Sequence, residues 1–416
     1  MRNWFTIGIG VKRWLSLLAL SAILFGGGVW IFLFWLIDFA EINRLYQSAI
    51  FFPLWAYALL SIVVGLRLGI FSVVRIVKVV TSPFRKEDET LANQLLYYQK
   101  RQRGPKIVAI GGGTGLSHLL RGLTEYSNNI TAIVTVADDG GSSGRLRREF
   151  GMLPPGDFRN NIAALSRDEA LMTKLLQYRF GGNSDDQSGQ SGLNGHAFGN
   201  LLITALVGLT GSFEDALLAT KKVLSIQGQV IPSTLTPVNL IADIQVEGKL
   251  KKVFGESAIS HENGIIRKID MIPEGVRGYP EAIRSILAAD LVILGPGSLF
   301  TSLVPNLLVK DIARAIESAS GHVAYVCNVS SQPGETDNYT VSDHVNQLGN
   351  YLDLAQLNCV VANNWVVESD QLNGQNVIRL DRVDGIPLIE ADLVDRLKPW
   401  RHDSKKLAST LVKLLQ

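Results

Sequence analysis

Residues 107–150 read IVAIGGGTGLSHLLRGLTEYSNNITAIVTVADDGGSSGRLRREF, and the order of segments in this stretch decides the fold. An apolar run, Lys106–Ile110, leads into the glycines Gly111–Gly113 and then into a helical pattern. A second apolar run, Ile130–Ala137, ends on two adjacent carboxylates and a Gly/Ser loop. Strand, glycine turn, helix and strand together predict the first half of a nucleotide-binding α/β unit.

The glycine turn is suited to an anionic ligand. Glycine has no Cβ, so backbone N–H groups at the start of the helix can approach a phosphate, which the helix dipole also favours. The turn fits neither common motif. No Lys-Ser/Thr pair follows as in a P-loop, and the third glycine of GxGxxG falls on Leu116 or His118. A glycine-rich turn that binds nothing is the alternative interpretation.

Composition sets broad limits on the protein class. The chain has 416 residues, enough for a large α/β domain with additional elements. The formal net charge of +2 gives no indication of nucleic acid as a partner. Cys327 and Cys359 each lie in an apolar run, which favours buried thiols over a disulfide or a metal site.

Two long apolar segments lie near the N-terminus. Trp14–Ile37 contains no charged residue, and Leu45–Leu66 is a second such run whose apolar character continues to Val80. Each is long enough to cross a bilayer core of about 30 Å. The sequence therefore predicts two transmembrane helices within residues 1–80. A signal peptide and a pair of buried core helices are the less favoured alternatives.

The distribution of cations predicts the orientation of these spans. Only Arg44 lies between them, whereas several Lys and Arg residues precede the first span and follow the second. The positive-inside rule then places both termini and the globular domain in the cytoplasm at the inner membrane. Residues 81–105 are expected to form a juxtamembrane linker, helical over Lys86–Arg101, whose cations contact anionic headgroups.

The remaining chain, 106–416, alternates apolar strand patterns with amphipathic helices. This alternation predicts a mostly parallel sheet that helices cover on both faces. Ile241–Val246 and Lys249–Phe254, separated by Glu-Gly, predict an antiparallel hairpin inserted into that domain. The last predicted strand is Asn358–Ala362, and a helix over Ser404–Leu415 closes the chain.

Three loops follow predicted parallel strands: Gly111–Gly115, Asp138–Gly144 and Gly295–Ser302. Ligands of open α/β sheets bind at this edge, so the three loops are expected to form one site. Asp138 and Asp139 offer oxygen ligands for Mg²⁺, or a ribose contact, or a simple turn. Gly295–Ser302 is predicted to be a second phosphate-binding loop.

Further polar residues lie close to glycines and are candidates for contacts with a sugar or base. They are Asn160, Asn161, Asn194, His196 and Asn200. For His196, helix capping or a substrate hydrogen bond is favoured over acid–base catalysis. Arg145 and Arg147 can neutralise phosphate or form a solvated face, and Glu335 and Asp337 can bind a ligand or form a turn. The sequence shows no pattern typical of a catalytic nucleophile, so covalent catalysis is not predicted.

Several motifs together resemble one known family. GGGTGLSHLLRGL, TVADDGGSSGRLR, PPGDFRN, GHAFGNLL, LGPGSLFTSL and QPGETDNYTVSDH occur in the order found in bacterial gluconeogenesis factors. That family is similar to the 2-phospho-L-lactate transferases of coenzyme F420 synthesis. The resemblance extends from about Lys106 to the C-terminus and does not include the two apolar N-terminal segments.

The resemblance implies a Rossmann-like core with an inserted subdomain and a phosphorylated, nucleotide-type ligand. It assigns metal or substrate binding to Asp138 and Asp139, and phosphate binding to Gly112–Gly115 and Gly297–Ser298. The ADDGGSSG form is that of the gluconeogenesis factors rather than the transferases. Gluconeogenesis factors are associated with UDP-sugar binding, cell shape and growth on gluconeogenic carbon sources.

The leading functional hypothesis is a membrane-tethered regulator that binds a nucleotide-sugar such as a UDP-sugar and acts on an unidentified protein partner in cell-wall or carbon metabolism. The alternative is a Mg²⁺-dependent transferase that moves a phosphate-ester group from a nucleoside-diphosphate adduct. An NAD-dependent oxidoreductase is not favoured, because the GxGxxG spacing fails. Homodimerisation is left open. The predicted ligand-binding residues are Gly112, Gly113, Thr114, Gly115, Asp138, Asp139, Asn160, Asn200, Gly295, Gly297 and Ser298.

Overall fold

The computed structural model describes residues 12–37, 54–81, 101–166, 169–181, 192–365 and 376–416. The chain divides into two compact units, Met1–Tyr97 and Tyr98–Gln416. Three sequence-based expectations fall outside the described residues, wholly or in large part. One is the short external loop near Asp38–Tyr46 that the predicted orientation of the two spans requires, and another is the helix over Lys86–Arg101. The third is Gly181–Gly195, which its glycine, serine and other polar residues predict to be a loop.

The N-terminal unit contains two helices, α1 (Lys12–Ile37) and α2 (Leu54–Thr81). Both are long and apolar enough to cross a membrane, over Lys12–Ile37 and Trp55–Val79. They pack antiparallel through small residues: a Cβ on Gly28 would lie 2.9 Å from the Ala58 carbonyl oxygen, and one on Gly65 would lie 2.7 Å from the Phe25 nitrogen. Such close backbone approach is typical of helix pairs in membranes.

The second helix continues past the end of the predicted span at Leu66, and Arg67 lies within it. The single cation ends the charge-free run of sequence without ending the helix. Near one end of the hairpin, the guanidinium groups of Arg13 and Arg75 lie 5.1 and 5.4 Å from the Trp14 ring. Basic and aromatic side chains therefore gather at the end where α1 begins, as expected for a membrane interface.

The second unit contains ten strands within the described residues. In chain order they are β1 (Ile107–Gly111), β2 (Ile130–Val134), β3 (Gln229–Pro232), β4 (Asn239–Val246), β5 (Lys249–Phe254), β6 (Ile265–Ile272), β7 (Leu291–Leu294), β8 (His322–Val326), β9 (Cys359–Asn363) and β10 (Leu388–Ala391). Seven of them form one sheet in the order β10-β9-β8-β7-β1-β2-β3. All neighbours in this sheet pair in parallel, which confirms the predicted α/β fold class.

Helices cover the sheet on both faces. They are α3 (Gly113–Leu123), α4 (Gly141–Phe150), α5 (Gly156–Ala164), α6 (Glu169–Gln177), α7 (Phe198–Thr210), α8 (Phe213–Leu224), α9 (Glu256–His261), α10 (Pro280–Leu287), α11 (Val304–Leu307), α12 (Lys310–Glu317), α13 (Val341–Leu348) and α14 (Ser404–Val412). Short π- and 3₁₀-turns occupy Leu299–Leu303, Leu354–Gln356 and Lys413–Leu415. The Ser212 side chain caps α8 by accepting the Asp215 N–H, as its sequence position predicts.

The strand order places the sheet's switch point beside β1. The chain builds β1, β2 and β3 in one direction, then returns to β7 on the other side of β1 and continues outward to β10. A crevice at the carboxyl ends of the strands is expected where the direction reverses. β1, β2 and β7 are completely buried, so they form a rigid base beneath that crevice.

The inserted antiparallel region is confirmed, and it contains a third strand. β4 pairs with β5 in the predicted hairpin and with β6 on its other side. The alternating pattern of β6, with Ile266, Ile269 and Met271 buried, was not recognised in the sequence analysis. The two cysteines are free and buried, as predicted.

Three local predictions were wrong. The alternating short apolar runs of Gln229–Ile259 predict that this whole stretch belongs to the insertion, but Gln229–Pro232 joins the parallel sheet. Leu388–Ala391 forms a further strand after Asn358–Ala362. Both strands have only four residues, too few for a clear periodic pattern. The Gly/Ser stretch after the acidic pair is mostly helical, because α4 begins at Gly141.

Candidate ligand site at the carboxyl edge of the sheet

Two glycine turns meet at the switch point. One follows β1 at Gly112–Gly115, and the other follows β7 at Gly295–Ser298. A Cβ on Gly115 would lie 2.7 Å from the Pro296 carbonyl oxygen and 3.0 Å from Gly297 Cα. Gly113 has a φ of +62°, which a residue with a side chain rarely adopts. The close approach of the two turns therefore depends on glycine.

Three amides hold the two turns in place. The Asn328 side chain accepts the Gly297 N–H at 3.1 Å and donates to the Gly297 carbonyl at 2.9 Å. Gln332 donates to the Ser298 hydroxyl at 2.6 Å. Asn306 donates to the Gly111 carbonyl at 3.1 Å. These contacts preorganise the turns before any ligand arrives, and the sequence analysis did not identify the three amides.

A cavity of about 260 Å³ opens between the glycine turns and the C-terminal segment. Residues from widely separated parts of the chain line it: Gly112, Gly113, Thr114, Gly115, His118, Pro296, Gly297, Ser298, Ser302, Asn328, Val329, Ser330, Gln332, Trp400, Arg401 and His402. Arg401 is the only arginine or lysine among them. It lies far from the glycine turns in sequence, so no motif spacing could reveal its place in the cavity.

The two histidines of the cavity are held neutral. Burial lowers the pKa of His118 to about 4, with a smaller contribution from the positive charge of Arg121. Burial likewise lowers the pKa of His402 to about 4, although its Nε2 lies 3.2 Å from the Cys327 carbonyl oxygen. The positive charge of the cavity at neutral pH therefore comes from Arg401, while the histidines supply neutral hydrogen-bonding groups.

The acidic pair after β2 lies beside these turns, and its two carboxylates have different surroundings. Asp138 accepts the N–H of Gly140 at 2.9 Å, and burial raises its pKa. Asp139 accepts the N–H of Ser257 at 2.9 Å and so ties the end of β2 to α9 of the insertion. Asp139 thus contacts the insertion, whereas Asp138 contacts the turn that follows its own strand.

Asp157 joins this acidic group. Its place in the sequence, directly before a helical pattern over Phe158–Leu165, predicts only a helix cap. The cap prediction was wrong: α5 begins at Gly156, its N-cap Pro155 makes no side-chain contact, and Asp157 lies in the first turn. A Cβ on Gly112 would lie 2.6 Å from Asp157 Oδ2. Burial first, and then the negative charge of Asp138, raise the pKa of Asp157 to about 6.

The insertion contributes a further carboxyl group to the same region. Burial raises the pKa of Glu256, the first residue of α9, to about 8, and the charges of Asp138 and Asp139 add to the effect. Glu335 is only 6% exposed and accepts the Thr301 hydroxyl at 2.9 Å, and burial raises its pKa. Several carboxyl groups with raised pKa values therefore surround the space next to the glycine turns.

Mg²⁺ fits this group only together with a ligand. Within the described ranges, no three His, Cys, Asp or Glu side chains are arranged to hold a metal by themselves. Mg²⁺ commonly takes one or two carboxylates, several waters and the oxygens of a substrate phosphate. The facing charges of Asp138 and Asp157 suit that arrangement, whereas Asp139 is directed to the insertion. Metal binding at Asp138 and Asp139 stays a prediction.

The predicted polar residues Asn200 and His196 contact the start of α4, whereas Asn160 lies on α5. Asn200 donates to the Ser142 hydroxyl at 3.0 Å, and His196 Nδ1 lies 3.0 Å from the same oxygen. Both therefore support the first turn of α4. The Oδ1 atom of Asn200 is buried and has no protein partner. Asn160 accepts a hydrogen bond from Arg159 at 3.0 Å. Their roles in ligand binding stay predictions.

Arg145, Arg147 and Asp337, for which the sequence allows either ligand binding or a structural role, all make contacts within the protein. Arg147 donates to the Val238 carbonyl at 2.6 Å and to Asn239 at 2.9 Å, at the start of β4. Arg145 donates to the Asn194 carbonyl at 3.0 Å. Asp337 accepts the Gly334 N–H at 2.7 Å within a turn. These contacts hold loops and the insertion around the site.

A parallel sheet with glycine turns at its switch point, one lining cation and an adjacent acidic group defines an open α/β protein with a candidate ligand site at the carboxyl edge of its sheet. The family described as 2-phospho-L-lactate transferase CofD matches residues 107–413. The protein named gluconeogenesis factor of Bacillus subtilis (strain 168) is 41% identical and covers 75% of this chain and 98% of its own length. The chain belongs to this family, in the gluconeogenesis factor group.

Two further similar proteins show how much of this chain the similarity covers. The crystal structure of protein BH3568 from Bacillus halodurans is 36% identical, with a TM-score of 0.69, and covers 74% of this chain and 99% of that one. A relative from Nostoc sp. (strain PCC 7120) is 43% identical and covers 99% of this chain and 92% of its own length. The match to the Nostoc protein therefore includes the helical hairpin, which lies outside residues 107–413.

Proposed function

We propose that the carboxyl edge of the sheet binds the diphosphate of a nucleotide-sugar, and that the protein is a regulator whose state reports the level of that compound. The observation that carries this proposal is the cavity in which two preorganised glycine turns face Arg401. Backbone N–H groups at the start of α3 and the guanidinium group together suit a diphosphate. UDP-sugars are the expected ligands because the chain belongs to the gluconeogenesis factor group.

In this proposal the acidic group holds Mg²⁺ against the diphosphate. Asp138 and Asp157 supply two carboxylates, and the phosphate oxygens complete the coordination. Bound Mg²⁺ would supply positive charge that offsets the repulsion between the carboxylates and the phosphates. The protein's own part is to bury Asp157 beside Asp138, and burial together with the charge of Asp138 raises the pKa of Asp157 in the ligand-free protein.

We further propose that α1 and α2 insert in the inner membrane and keep the ligand-binding unit in the cytoplasm. The length and apolar character of both helices support the insertion. The position of Arg13, Trp14 and Arg75 near one end of the hairpin supports the orientation. Links to cell shape or to a protein partner belong to the same proposal and rest on the family alone.

The experiment is a calorimetric titration of the full chain in detergent with UDP-N-acetylglucosamine, UDP-glucose, GTP and NAD, each with and without Mg²⁺. The proposal predicts that one UDP-sugar binds, that Mg²⁺ tightens its binding, and that the ligand is recovered intact. Binding of none of the four compounds would contradict the nucleotide-sugar proposal.

A Mg²⁺-dependent transferase is the second candidate, and the family match at residues 107–413 favours it. An acceptor hydroxyl would form a bond to phosphorus of a nucleoside-diphosphate adduct, the bond to the nucleoside monophosphate would break, and the proton would pass to a carboxylate. Positioning and charge compensation can drive such chemistry without a covalent nucleophile. Product that accumulates with Mg²⁺ and disappears in Asp138→Asn would establish this candidate in place of a regulator.

A further inference from the structure

A second polar cavity lies at the opposite edge of the parallel sheet. It has a volume of about 390 Å³ and includes the residues that directly precede β1, β2 and β3, namely Lys106, Asn129 and Gly228. Since the strands are parallel, this edge carries their amino ends and is separate from the glycine turns. We refer to this space, completed by side chains of α8 and α10, as the amino-edge cavity.

The amino-edge cavity carries an excess of positive charge. Lys106, Lys221 and Arg284 line it, and Glu281, which lies 3.1 Å from Arg284, is the one carboxylate in the lining. Within the described ranges, neither Lys106 nor Lys221 makes an ion pair. Asp290 lies close by, where it accepts the backbone N–H of Lys106 at 2.7 Å. Two lysines in a concave polar site therefore have no fixed counter-charge.

The neutral groups of the cavity are held in place by the protein. Gln229 donates to Thr131 at 3.1 Å, and Asn129 donates to the Gly104 carbonyl at 2.8 Å. The Ser285 hydroxyl also lines the space. Cations from separate elements and a hydroxyl that line the same cavity are suited to a compact anion with several oxygens, such as a phosphate group.

The segment that carries Lys106 is firmly packed. A Cβ on Gly104 would lie 2.8 Å from Ser127 Cα, and the Ser127 hydroxyl donates to the Pro105 carbonyl at 2.7 Å. The Asn128 N–H donates to the Arg101 carbonyl at 2.9 Å. The last residues of the predicted linker, 101–105, therefore hold Lys106 at the rim of the cavity.

We propose that the amino-edge cavity binds a phosphate monoester through Lys221, Arg284 and Lys106. Two sources share this chemistry: a soluble phosphorylated metabolite and the exposed phosphate of an anionic lipid headgroup. Binding of a lipid headgroup would give the globular unit a direct contact with the bilayer, in addition to its chain connection to α1 and α2. This site is independent of the nucleotide-sugar site, because no residue lines both cavities.

The experiment measures how fast each lysine of the full chain in nanodiscs reacts with acetic anhydride, by mass spectrometry. Phosphatidylcholine nanodiscs are used alone, with added glycerol 3-phosphate, or with phosphatidic acid included in the lipid. The proposal predicts that Lys221 reacts about tenfold more slowly when phosphate is bound. The bound phosphate pairs with the Lys221 ammonium group, and acetic anhydride reacts only with a free, neutral amine. Lys222 is the matched internal control, since it is exposed on the same helix and does not line the cavity.

The outcomes separate the two sources from a failed proposal. Protection by glycerol 3-phosphate indicates a soluble ligand, and protection only by phosphatidic acid indicates a lipid headgroup. In either case Arg284→Gln should raise the half-protecting concentration about tenfold, whereas Lys222→Gln should leave it unchanged. Equal protection of Lys221 and Lys222, or no protection of Lys221 by either compound, would overturn the proposal.

Discussion

The two halves of the sheet's carboxyl edge differ in charge and in what holds them. On the side of β1 and β7, two glycine turns held by side-chain amides line a cavity that contains one cation, Arg401. On the side of β2, carboxyl groups from α5 and the insertion gather around Asp138. The first half suits a phosphate, and the second suits a cation.

The proposed ligand would account for this contrast. Carboxylates at this density raise one another's pKa values and cost free energy unless a cation or a proton neutralises them. The glycine turns gain most from a multiply charged anion. A diphosphate with Mg²⁺, as proposed, would satisfy both halves at once, and the following four predictions test this comparison in order of expected effect.

Gly115→Ala should have the largest effect, because its Cβ would lie 2.7 Å from the Pro296 carbonyl oxygen. The two turns would have to separate, and the loss of two charge-assisted hydrogen bonds would weaken UDP-sugar binding about 100-fold by calorimetry. Gly208→Ala on α7 is the control, since nothing lies within 4 Å of its Cβ. The control should bind normally and be more stable by about 0.5–1 kcal/mol. Normal binding by Gly115→Ala would remove the glycine turns from the site.

Single carboxylate-to-amide substitutions should distinguish Asp138 and Asp157, which are proposed to bind Mg²⁺, from the adjacent Asp139. Asp138→Asn and Asp157→Asn should each weaken Mg²⁺-dependent binding about 30-fold, equivalent to about 2 kcal/mol. Asp139→Asn should retain the Mg²⁺ effect, since its side chain contacts the Ser257 N–H in α9 and the amide oxygen can still accept it. Equal losses in Asp139→Asn and Asp138→Asn would show that the adjacent pair acts as the sequence analysis predicted.

Arg401→Ala should weaken UDP-sugar binding about tenfold and make it less sensitive to salt, because one charge-assisted contact is lost. Arg396→Ala is the matched control from the same segment. The Arg396 guanidinium lies 3.5 Å from the Trp365 ring, and this residue does not line the cavity. An unchanged affinity in Arg401→Ala would place the diphosphate elsewhere.

The smallest expected effect is a pH dependence of the ligand-free protein. The folded-state pKa of Asp157 is raised from 3.8 to about 6, and that of Glu256 from 4.5 to about 8. On these two carboxyls the folded state binds protons more tightly than the unfolded state, which lowers stability as pH rises. His118 and His402, whose folded-state pKa values are lowered to about 4, act in the opposite direction up to about pH 6.5. Stability should therefore fall from about pH 6.5 to 8. Thermal melts should show this trend, and Glu256→Gln should reduce it between pH 6 and 8. A Tm that rises steadily over this range would contradict the raised pKa values.

The sequence was informative where the chain is locally periodic. The apolar runs of β1, β2 and β7 and the glycines after them gave the parallel sheet and the position of its ligand-binding edge. The hairpin of β4 and β5 was recognised from its alternation and its Glu-Gly turn. These features depend on patterns among residues that are close in sequence, so they can be predicted without knowledge of distant contacts.

The missed features depend on contacts between distant residues. Arg401 reaches the glycine turns only because the C-terminal segment folds back across the sheet edge. Asp157 has the sequence context of a helix cap, and its place beside Gly112 follows from how α5 packs against α3. The four-residue strands β3 and β10 are recognised only by their neighbours in the sheet. No spacing rule could have supplied this information.

The most direct test of the account is a double-mutant cycle on UDP-sugar binding with Arg401→Ala and Asp138→Asn, measured by calorimetry at saturating Mg²⁺. If one diphosphate with Mg²⁺ joins the two halves, the losses will not add, and the coupling energy will be about 1 kcal/mol or more. Strictly additive losses would mean that Arg401 and Asp138 serve separate sites, which would contradict the central claim.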